Sequence, residues 1–396
     1  MKIGFDISQT GSGKAGCGYF AENLIRNLSL IDTHNTYTLY PSFGDHFWDD
    51  KYTQTININA PNFKKGLTHS SLDEAKNFWN NDLYDFDEAL GNVDILHSNN
   101  FFCPIGLKKT KLIYTLYDLS FVDHPDCTTE HNRIACFESV FKASLYADLI
   151  ISISDYTKNH FLKLFPHYPK NRIFTSYPGN RFSNYKIISK KPERLENLES
   201  NTFWLNVGTL EPRKNIMRIL NVYSKLVSEN KHFYPLVFAG KPGWLLENLH
   251  TIIQKLNLEK HVYILGYVND MELKWLYENC FSLLFPSLFE GFGLPVLEAL
   301  TFGIPIITSN ISSLPEVAGK AALLIDPLNE SNLYNAMIEI ATNQQIREEL
   351  KFLAFDQAKK FSWKKTSADI LELYKETYRL PDMKTSTNLV IKEISQ

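Results

Sequence analysis

The chain has 396 residues, of which 44% are hydrophobic and 21% charged, and its formal net charge is −3. This length and composition predict a globular protein of two domains, each large enough to bury its own core. The charge gives no general reason to expect nucleic acid as a partner. The five cysteines form no Cys-x-x-Cys pair, so we expect reduced thiols and no structural zinc.

The hydropathy of the chain argues against insertion into a membrane. No stretch approaches the roughly 20 consecutive apolar residues that a spanning helix needs. The first residues, MKIGFDIS, contain no apolar signal region. We therefore expect a cytoplasmic protein that is at most in peripheral contact with the cytoplasmic face of a membrane.

Short apolar runs alternate with helical patterns through the first half of the chain. The predicted helices lie near 17–30, 131–146 and 155–165. The predicted strands are Lys2–Ile7, Thr36–Tyr40, Val93–His97, Lys111–Leu116, Leu149–Ser152 and Arg172–Ser176. Strands that alternate with helices form parallel sheets covered on both faces, which predicts a doubly wound α/β domain.

The second half repeats this alternation. Its predicted strands are Phe203–Val207, Leu236–Ala239, Val262–Leu265, Ser282–Phe285, Ile304–Thr308 and Ala321–Ile325. Its predicted helices lie near 215–229, 244–257, 270–279, 294–302, 331–342 and 345–360. The sequence thus predicts two doubly wound α/β domains that face each other across a cleft, with ligands at the carboxyl ends of the strands.

The stretch GSGKAGCGYF, residues 11–20, lies between the first predicted strand and the first predicted helix. Its glycines have the spacing of a dinucleotide-binding loop, but no acidic residue ends the second strand, so NAD is not expected. The stretch does not match a Walker phosphate loop either, because Lys14 is followed by Ala15 and not by serine or threonine. Two interpretations remain: a glycine loop that lies against an anionic or sugar ligand, or a tight strand-to-helix turn without a ligand.

A second strand-to-helix junction is NVGTLEPRKNI, residues 206–216. Arg213 and Lys214 stand just ahead of the predicted helix. Two adjacent cations beside a helix N-terminus can bind a diphosphate. The alternative is a solvated charge pair in front of a helix that Asn215 caps.

Two glutamates, Glu290 and Glu298, are separated by seven residues in the stretch FPSLFEGFGLPVLEALTFGIP. Gly291 and Gly293 allow the backbone to approach a ligand closely. An unpaired carboxylate in an apolar helix is costly, so Glu298 needs a partner, and sugar hydroxyls are suitable. The alternative for either glutamate is a structural acid that caps nearby amides.

These motifs together resemble a known family. The Glu-x7-Glu pair after an FPS strand, VGTLEPRKN, LGYVNDMELKWLY (265–277) and FSWKKT (361–366) are similar to the retaining nucleotide-sugar glycosyltransferases of family 4. Those enzymes have the GT-B fold, with two Rossmann-like domains. The resemblance covers nearly the whole chain and is most specific between 203 and 330.

A polar, charged segment separates the two halves, and the resemblance adds roles to the parts on either side. The predicted parts are an acceptor-side domain over 1–185, a linker over 186–201, a nucleotide-sugar donor domain over 202–362, a helix over 363–380 that crosses back to the first domain, and a tail over 381–396.

The resemblance implies that the donor lies mainly in the second domain. Arg213 and Lys214, beside Gly208, would bind the diphosphate, and Glu298 would hold the ribose. The transferred sugar and the distal phosphate would be surrounded by Glu290, Gly291, Phe292, Gly293 and Leu294.

The resemblance also assigns the base and the acceptor. Tyr267 and Val268, after the third strand of the second half, would lie against the nucleotide base. The acceptor side is the first domain, which suits a contact of the acceptor with the glycine loop at Gly16 and Gly18.

One departure from the family concerns the end of the predicted strand Lys111–Leu116. Related sequences often carry His-Asp-Leu there, whereas this chain has Tyr117 followed by Asp118. Tyrosine cannot act as a near-neutral base as imidazole can. His97, which ends a strand expected to face the cleft, Asn99 and Asp118 are therefore candidates for a catalytic role, and the alternative for each is a structural role.

A metal site is not expected. Asp85 and Asp87 form the Asp-x-Asp pattern of many metal-dependent glycosyltransferases, but their polar context predicts a solvated face of a helix or loop. Arg213 and Lys214 can instead neutralise the leaving diphosphate.

The predicted function is a retaining transfer of a mannose-like or glucose-like hexose from a GDP- or UDP-linked donor. The acceptor is a saccharide or a lipid-linked saccharide, in surface polysaccharide or glycoconjugate assembly. No cofactor is expected, since the nucleotide sugar is a substrate. Two alternatives remain: a nucleotide-sugar 2-epimerase of the same fold, and a non-catalytic sugar-binding homologue.

Overall fold

The computed structural model describes residues 1–11, 14, 16–45, 55–81, 83–182, 187–229, 234–245 and 249–383. The chain divides into two compact units. The first unit consists of Met1–Val122, Glu130–Pro178 and the described residues from Trp363 onward. The second consists of Asp123–Thr129 and Gly179–Ser362.

The first unit is built on a parallel sheet. Its strands are β1 (Lys2–Asp6), β2 (Thr36–Tyr40), β3 (Phe63–Lys65), β4 (Ile95–Ser98), β5 (Lys111–Leu116), β6 (Leu149–Ser152) and β7 (Ile173–Thr175). The helices between them are α1 (Gly16–Ile31), α2 (Leu72–Trp79), α3 (Phe86–Ala89), α4 (Ser120–Asp123), α5 (Glu130–Tyr146) and α6 (Asp155–Leu164). Within the described residues the strand order is β3-β2-β1-β4-β5-β6-β7.

The second unit has the same architecture. Its strands are β8 (Trp204–Val207), β9 (Leu236–Ala239), β10 (Val262–Gly266), β11 (Ser282–Phe285), β12 (Ile306–Ser309) and β13 (Leu323–Ile325). Its helices are α7 (Ile216–Ser228), α8 (Leu249–Lys255), α9 (Asp270–Asn279), α10 (Leu294–Thr301), α11 (Leu314–Ala318), α12 (Glu330–Thr342) and α13 (Gln344–Ala358). The order of these six described strands is β10-β9-β8-β11-β12-β13.

The last helix, α14 (Trp363–Arg379), belongs to the first unit. The ring of Trp363 lies 5.6 Å from that of Phe20 on α1. The Tyr374 hydroxyl is 2.8 Å from Nδ1 of His97 on β4. These contacts anchor α14 to α1 through a pair of buried aromatic rings and to the sheet through a buried hydrogen bond. None of the described helices is long and apolar enough to cross a membrane.

The prediction of two doubly wound α/β domains is confirmed by the two parallel sheets and their flanking helices. The sequence analysis missed β3, α2, α3, α4 and α11. Four of these elements have three to five residues, which is too short for a hydrophobic period to be recognised. Only the first of the three residues of β3 is buried, because β3 lies at the edge of the sheet.

The predicted linker over 186–201 needs correction. Its described residues belong to the second unit, and the chain passes between units at Pro178 and Gly179. Leu195 and Leu198 are buried within this charged segment. The Asn201 amide donates to the Asn279 carbonyl over 2.6 Å. Two buried leucines suffice to dock a segment that is otherwise charged. The polar composition therefore wrongly indicated a linker that packs on neither unit.

The two candidate glycines at the start of α1 differ in their surroundings. A Cβ atom at Gly18 would lie 1.9 Å from the Gln9 carbonyl oxygen, whereas a Cβ at Gly16 would meet nothing within 4 Å. We therefore expect Gly18→Ala to lower the free energy of unfolding by about 1–3 kcal/mol, since the loop backbone must shift. Gly16→Ala should melt like the native chain. Equal thermal unfolding of the two variants would contradict this account.

Candidate functional site

The second sheet reverses its strand order between β8 and β11, so the loops that follow these two strands lie side by side. Two hydrogen bonds join the loops. The Leu288 amide donates to the Arg213 carbonyl over 2.8 Å, and Nδ2 of Asn215 donates to the Pro286 carbonyl over 3.0 Å. In doubly wound sheets ligands bind at such a point of reversal, outside the carboxyl ends of the strands.

The backbone of the loop after β8 makes room for Lys214. Gly208 has φ 132°, a conformation that glycine adopts readily. A Cβ atom at this position would lie 3.3 Å from Cε of Lys214. Asn215, with φ 61°, ends the short 3₁₀ turn Pro212–Lys214 and leads directly into α7.

Four charged side chains meet between these loops, and we call Glu211, Arg213, Lys214 and Glu290 the ion cluster. The Glu290 carboxylate lies 2.5 Å from Nζ of Lys214 and 3.0 Å from Nη1 of Arg213. Nη2 of Arg213 lies 2.5 Å from Glu211. Lys214, Glu290 and Glu211 are buried. The sequence-predicted residues Arg213, Lys214 and Glu290 are thus in direct contact.

The charges of the ion cluster decide the protonation of Glu290. Burial raises the pKa of Glu290, but the neighbouring Arg213 and Lys214 outweigh this effect and lower that pKa to about 2. The carboxylate is therefore ionised at neutral pH, and the cluster holds two cations against two carboxylates. An ammonium has three N–H donors and a guanidinium five. Such donors suit an incoming diphosphate, because the two cations can bind its oxygens while they also remain paired with the carboxylates.

The loop that carries Glu290 is held by two serines. The Glu290 amide donates to Oγ of Ser312 over 3.1 Å, and Oγ of Ser313 donates to the Glu290 carbonyl over 2.8 Å. Gly293 has φ 101° and caps α10. The predicted sugar-facing residues 291–294 therefore form the turn that leads into the N-terminus of α10, where the helix dipole favours negative charge.

Glu298 has protein partners, which corrects the expectation that sugar hydroxyls must supply them. This glutamate on α10 is 1% exposed. Nε of Arg181 donates to Oε1 over 2.5 Å, and the Tyr277 hydroxyl donates to Oε2 over 2.8 Å. Burial raises the pKa of Glu298, while Arg181 and Tyr277 act in the opposite direction.

Tyr267 and Val268 follow β10, two strands away from the ion cluster. The Tyr267 side chain is exposed, and Nζ of Lys241 lies 4.9 Å from its ring centroid. The Lys241 carbonyl in turn accepts from the Leu210 amide over 2.9 Å. This series of contacts connects the predicted base-binding position to the loop that carries Arg213 and Lys214.

His97 was predicted to lie at a strand end facing the cleft, with a catalytic role and a structural role as the alternatives. Its side chain is 0% exposed. Nδ1 lies 2.8 Å from the Tyr374 hydroxyl, and Nε2 lies 2.9 Å from Oγ1 of Thr115. Burial lowers the pKa of His97 to about 3, so the ring is neutral. These observations favour a structural role, with α14 covering the histidine.

The other first-unit candidates also have local partners. Asn99 is buried and its amide donates to Asp6 over 3.1 Å. The Tyr117 hydroxyl donates to the Asn99 carbonyl over 2.9 Å. Asp118 is half-buried and accepts from the Ser120 amide and hydroxyl at 3.0 and 2.8 Å. Asp118 is the most exposed of these side chains, so among them it stays the candidate for a catalytic role.

Asp85 and Asp87 serve the local fold. Asp85 caps α3 and is partly exposed, as expected. Asp87 is buried, which corrects the predicted solvated face, and it accepts from the backbone amides of Lys108 and Thr110. Among the described residues, no group of three or more histidine, cysteine, aspartate or glutamate side chains could hold a metal ion.

Sequence reasoning missed three residues of the second-unit site: Glu211, Arg181 and Tyr277. Glu211 lies in the same short motif as Arg213, and its two-residue spacing could have suggested a pair. Arg181 is 117 residues from Glu298 along the chain. Nothing in the local sequence around Arg181 indicates that partner.

The fold and the site together define a class. The chain belongs to the group 1 glycosyl transferases and has the two-domain α/β fold of the GT-B class; the model of that family matches residues 188–354. It is 34% identical over 287 residues to the O-antigen chain mannosyltransferase B of Escherichia coli. That alignment covers 71% of this chain and 74% of the relative. The chain is therefore a glycosyltransferase.

Two further likenesses agree with this class. The chain is 33% identical over 245 residues to the serotype-specific mannosyltransferase WbdA of Escherichia coli, covering 60% of this chain but only 29% of that longer protein. The crystal structure of HepE of Anabaena in complex with UDP-glucose superposes with a TM-score of 0.69 at 16% identity. The superposition covers 95% of this chain and 100% of HepE, and it supports the fold.

Because His97 is buried and doubly hydrogen-bonded, its replacement should affect stability rather than chemistry. His97→Ala leaves the Tyr374 hydroxyl without its partner and removes one of the two partners of Thr115, which keeps its bond to Asn99. A buried polar group left unpaired costs about 1–3 kcal/mol. We expect a lower melting temperature and a turnover number, per folded molecule, within about twofold of the native value. Tyr374→Phe is the matched control and should also destabilise the protein. A native melting temperature with turnover reduced a hundredfold would contradict the structural role.

Proposed function

We propose that the chain transfers a hexose, mannose in the first instance, from a GDP- or UDP-linked donor to a saccharide or lipid-linked saccharide, with retention of the anomeric configuration. The observation that carries this proposal is the ion cluster at the strand reversal of the second sheet. Mannose is favoured because the relatives at 33–34% identity are named mannosyltransferases. Assembly of a surface polysaccharide is the process that this activity would serve.

In the proposed reaction the bond between the anomeric carbon and the distal phosphate oxygen breaks. The acceptor oxygen bonds to the same face of that carbon, and its proton passes to the departing phosphate. Arg213 and Lys214 stabilise the negative charge that develops on the diphosphate. This charge stabilisation can replace a divalent metal ion, so we propose transfer without metal or cofactor.

The proposal assigns the remaining donor contacts to the residues that the family resemblance indicates. Glu290 and the turn over 291–294 orient the transferred sugar and the distal phosphate. Glu298 holds the ribose, and Tyr267 with Val268 lies against the base. On the acceptor side, the glycine loop at Gly16 and the partly exposed Asp118 contact the incoming saccharide, whereas Gly18 is needed for the turn itself.

The proposed location is the cytoplasm, with peripheral contact at the membrane face. Helix α5 supports this contact, because Ile134, Phe137 and Phe141 are exposed on one of its faces. The rings of Phe137 and Phe141 stack with centroids 6.2 Å apart. An apolar helix face of this kind can enter the boundary between headgroups and acyl chains, where lipid-linked acceptors are found.

The activity is tested by incubation of the purified chain with GDP-mannose or UDP-glucose, first alone and then with mannosylated acceptors, in excess chelator. We expect transfer only when an acceptor is present, and NMR should show the anomeric configuration of the donor in the product. Conversion of the donor without an acceptor would indicate an epimerase. An inverted linkage would contradict retention, and activity that returns only with manganese or magnesium would contradict the metal-free mechanism.

The diphosphate role is tested with Lys214→Met, which keeps the length of the side chain and removes its charge. Turnover should fall at least tenfold, about 1.4 kcal/mol in activation free energy, because a cation on the leaving group is lost. Lys359→Met is the matched control, since Lys359 forms an exposed ion pair with Asp356 at 2.9 Å in the same unit. Native turnover in Lys214→Met would refute the assignment.

A further inference from the structure

A short segment at the start of the second unit, Asn180–Phe182, packs on α10. Nδ2 of Asn180 donates to the Leu297 carbonyl over 3.4 Å and also to Oγ1 of Thr301. The Phe182 ring contacts Phe302, just after α10, with centroids 5.3 Å apart. Between these two anchors Arg181 reaches the Glu298 carboxylate. The segment therefore holds an arginine against the one acidic side chain of α10.

The Arg181 guanidinium is held by two carboxylates. Nε donates to Oε1 of Glu298 over 2.5 Å, and Nη1 lies 3.3 Å from Oδ1 of Asp270, in the first turn of α9. The Tyr277 hydroxyl, also on α9, donates to the other Glu298 oxygen over 2.8 Å. Because each carboxylate oxygen has a defined partner, the Glu298 side chain is locked in one orientation.

The charge of Glu298 depends on Arg181. A carboxylate that is 1% exposed loses its hydration and tends to take up a proton. Burial raises the pKa of Glu298, and the Arg181 guanidinium opposes that change. An ionised carboxylate has about four acceptor positions, of which Arg181 and Tyr277 use one on each oxygen. One further acceptor position on each oxygen matches two adjacent hydroxyls.

We propose that Arg181 is a positioning residue for the donor: it pairs with the Glu298 carboxylate and orients it to accept from the 2′- and 3′-hydroxyls of the ribose. Arg181 acts through Glu298. This inference rests on the proposed function, in which Glu298 holds the ribose. It goes beyond the sequence motifs, since Arg181 lies outside the Glu-x7-Glu stretch and approaches it from another part of the second unit.

The test measures the affinity of GDP and 2′-deoxy-GDP, and of UDP and 2′-deoxy-UDP, by calorimetry. The native chain should bind the ribose form of its preferred nucleotide about tenfold more tightly than the deoxyribose form. Arg181→Met should lose this preference while its affinity for the deoxyribose form stays native. Arg181→Lys, which keeps the charge but not the fork of donors, should retain part of the preference.

Two further variants separate the possible outcomes. Glu298→Gln should lose the ribose preference, and the double variant with Arg181→Met should lose no more than either single variant. Arg347→Met is the matched control, because Arg347 is a part-buried arginine that donates to the carbonyls of Ile340 and Ala341. It should keep the native preference. Thermal unfolding of every variant shows whether the fold is retained.

Three results would overturn the inference. Arg181→Met could keep the full ribose preference while Glu298→Gln loses it, which refutes the role of Arg181 and leaves the proposed function intact. Arg181→Met could weaken both forms equally and melt early, which indicates a structural residue. The native chain could bind the ribose and deoxyribose forms equally, or Glu298→Gln could keep the ribose preference. Either result would remove the ribose role of Glu298, and with it the inference.

Discussion

The pairing of the buried Lys214 and the half-buried Arg213 with two buried carboxylates, at one end of the second sheet, is the constraint on which the site depends. Removing one partner from such a buried cluster leaves an uncompensated charge, at a cost of about 3–5 kcal/mol. The loops after β8 and β11 are therefore held together both by backbone hydrogen bonds and by charge. In the proposed function, an entering diphosphate shares the two cations with Glu290 and Glu211, so the same ion pairs that stabilise the loops before binding become ligand contacts.

The two units share a sheet topology but differ in the side chains at the point where the strand order reverses. Both sheets reverse their strand order in the middle, between β1 and β4 in the first unit and between β8 and β11 in the second. In the first unit the Asn99 amide donates to the buried Asp6 carboxyl group at the end of β1, and His97, Thr115, Asn99 and Tyr374 are joined by hydrogen bonds next to it. In the second unit the same point carries the ion cluster, which includes two cations. The difference supports the proposal that the second unit binds the anionic half of the donor.

Much of the fold could be predicted from the sequence, because buried parallel strands are short apolar runs whose limits are set by polar residues. β2, β5, β6, β9 and β11 lie within the predicted limits. Arg213, Lys214 and Glu290 of the ion cluster could also be found, since each lies in a loop that joins a predicted strand to a predicted helix. Partners that are distant along the chain could not: Tyr374 is 277 residues from His97 and Arg181 is 117 from Glu298. Local patterns do not specify such contacts.

The central claim is that the ion cluster binds the diphosphate of the donor, and a crystal structure of the chain with bound GDP tests it most directly. The account predicts distal phosphate oxygens within roughly 2.7–3.2 Å of Nζ of Lys214 and of the Arg213 guanidinium, at the strand reversal of the second sheet. A diphosphate bound elsewhere, with Lys214 and Arg213 still engaged only by Glu290 and Glu211, would contradict it.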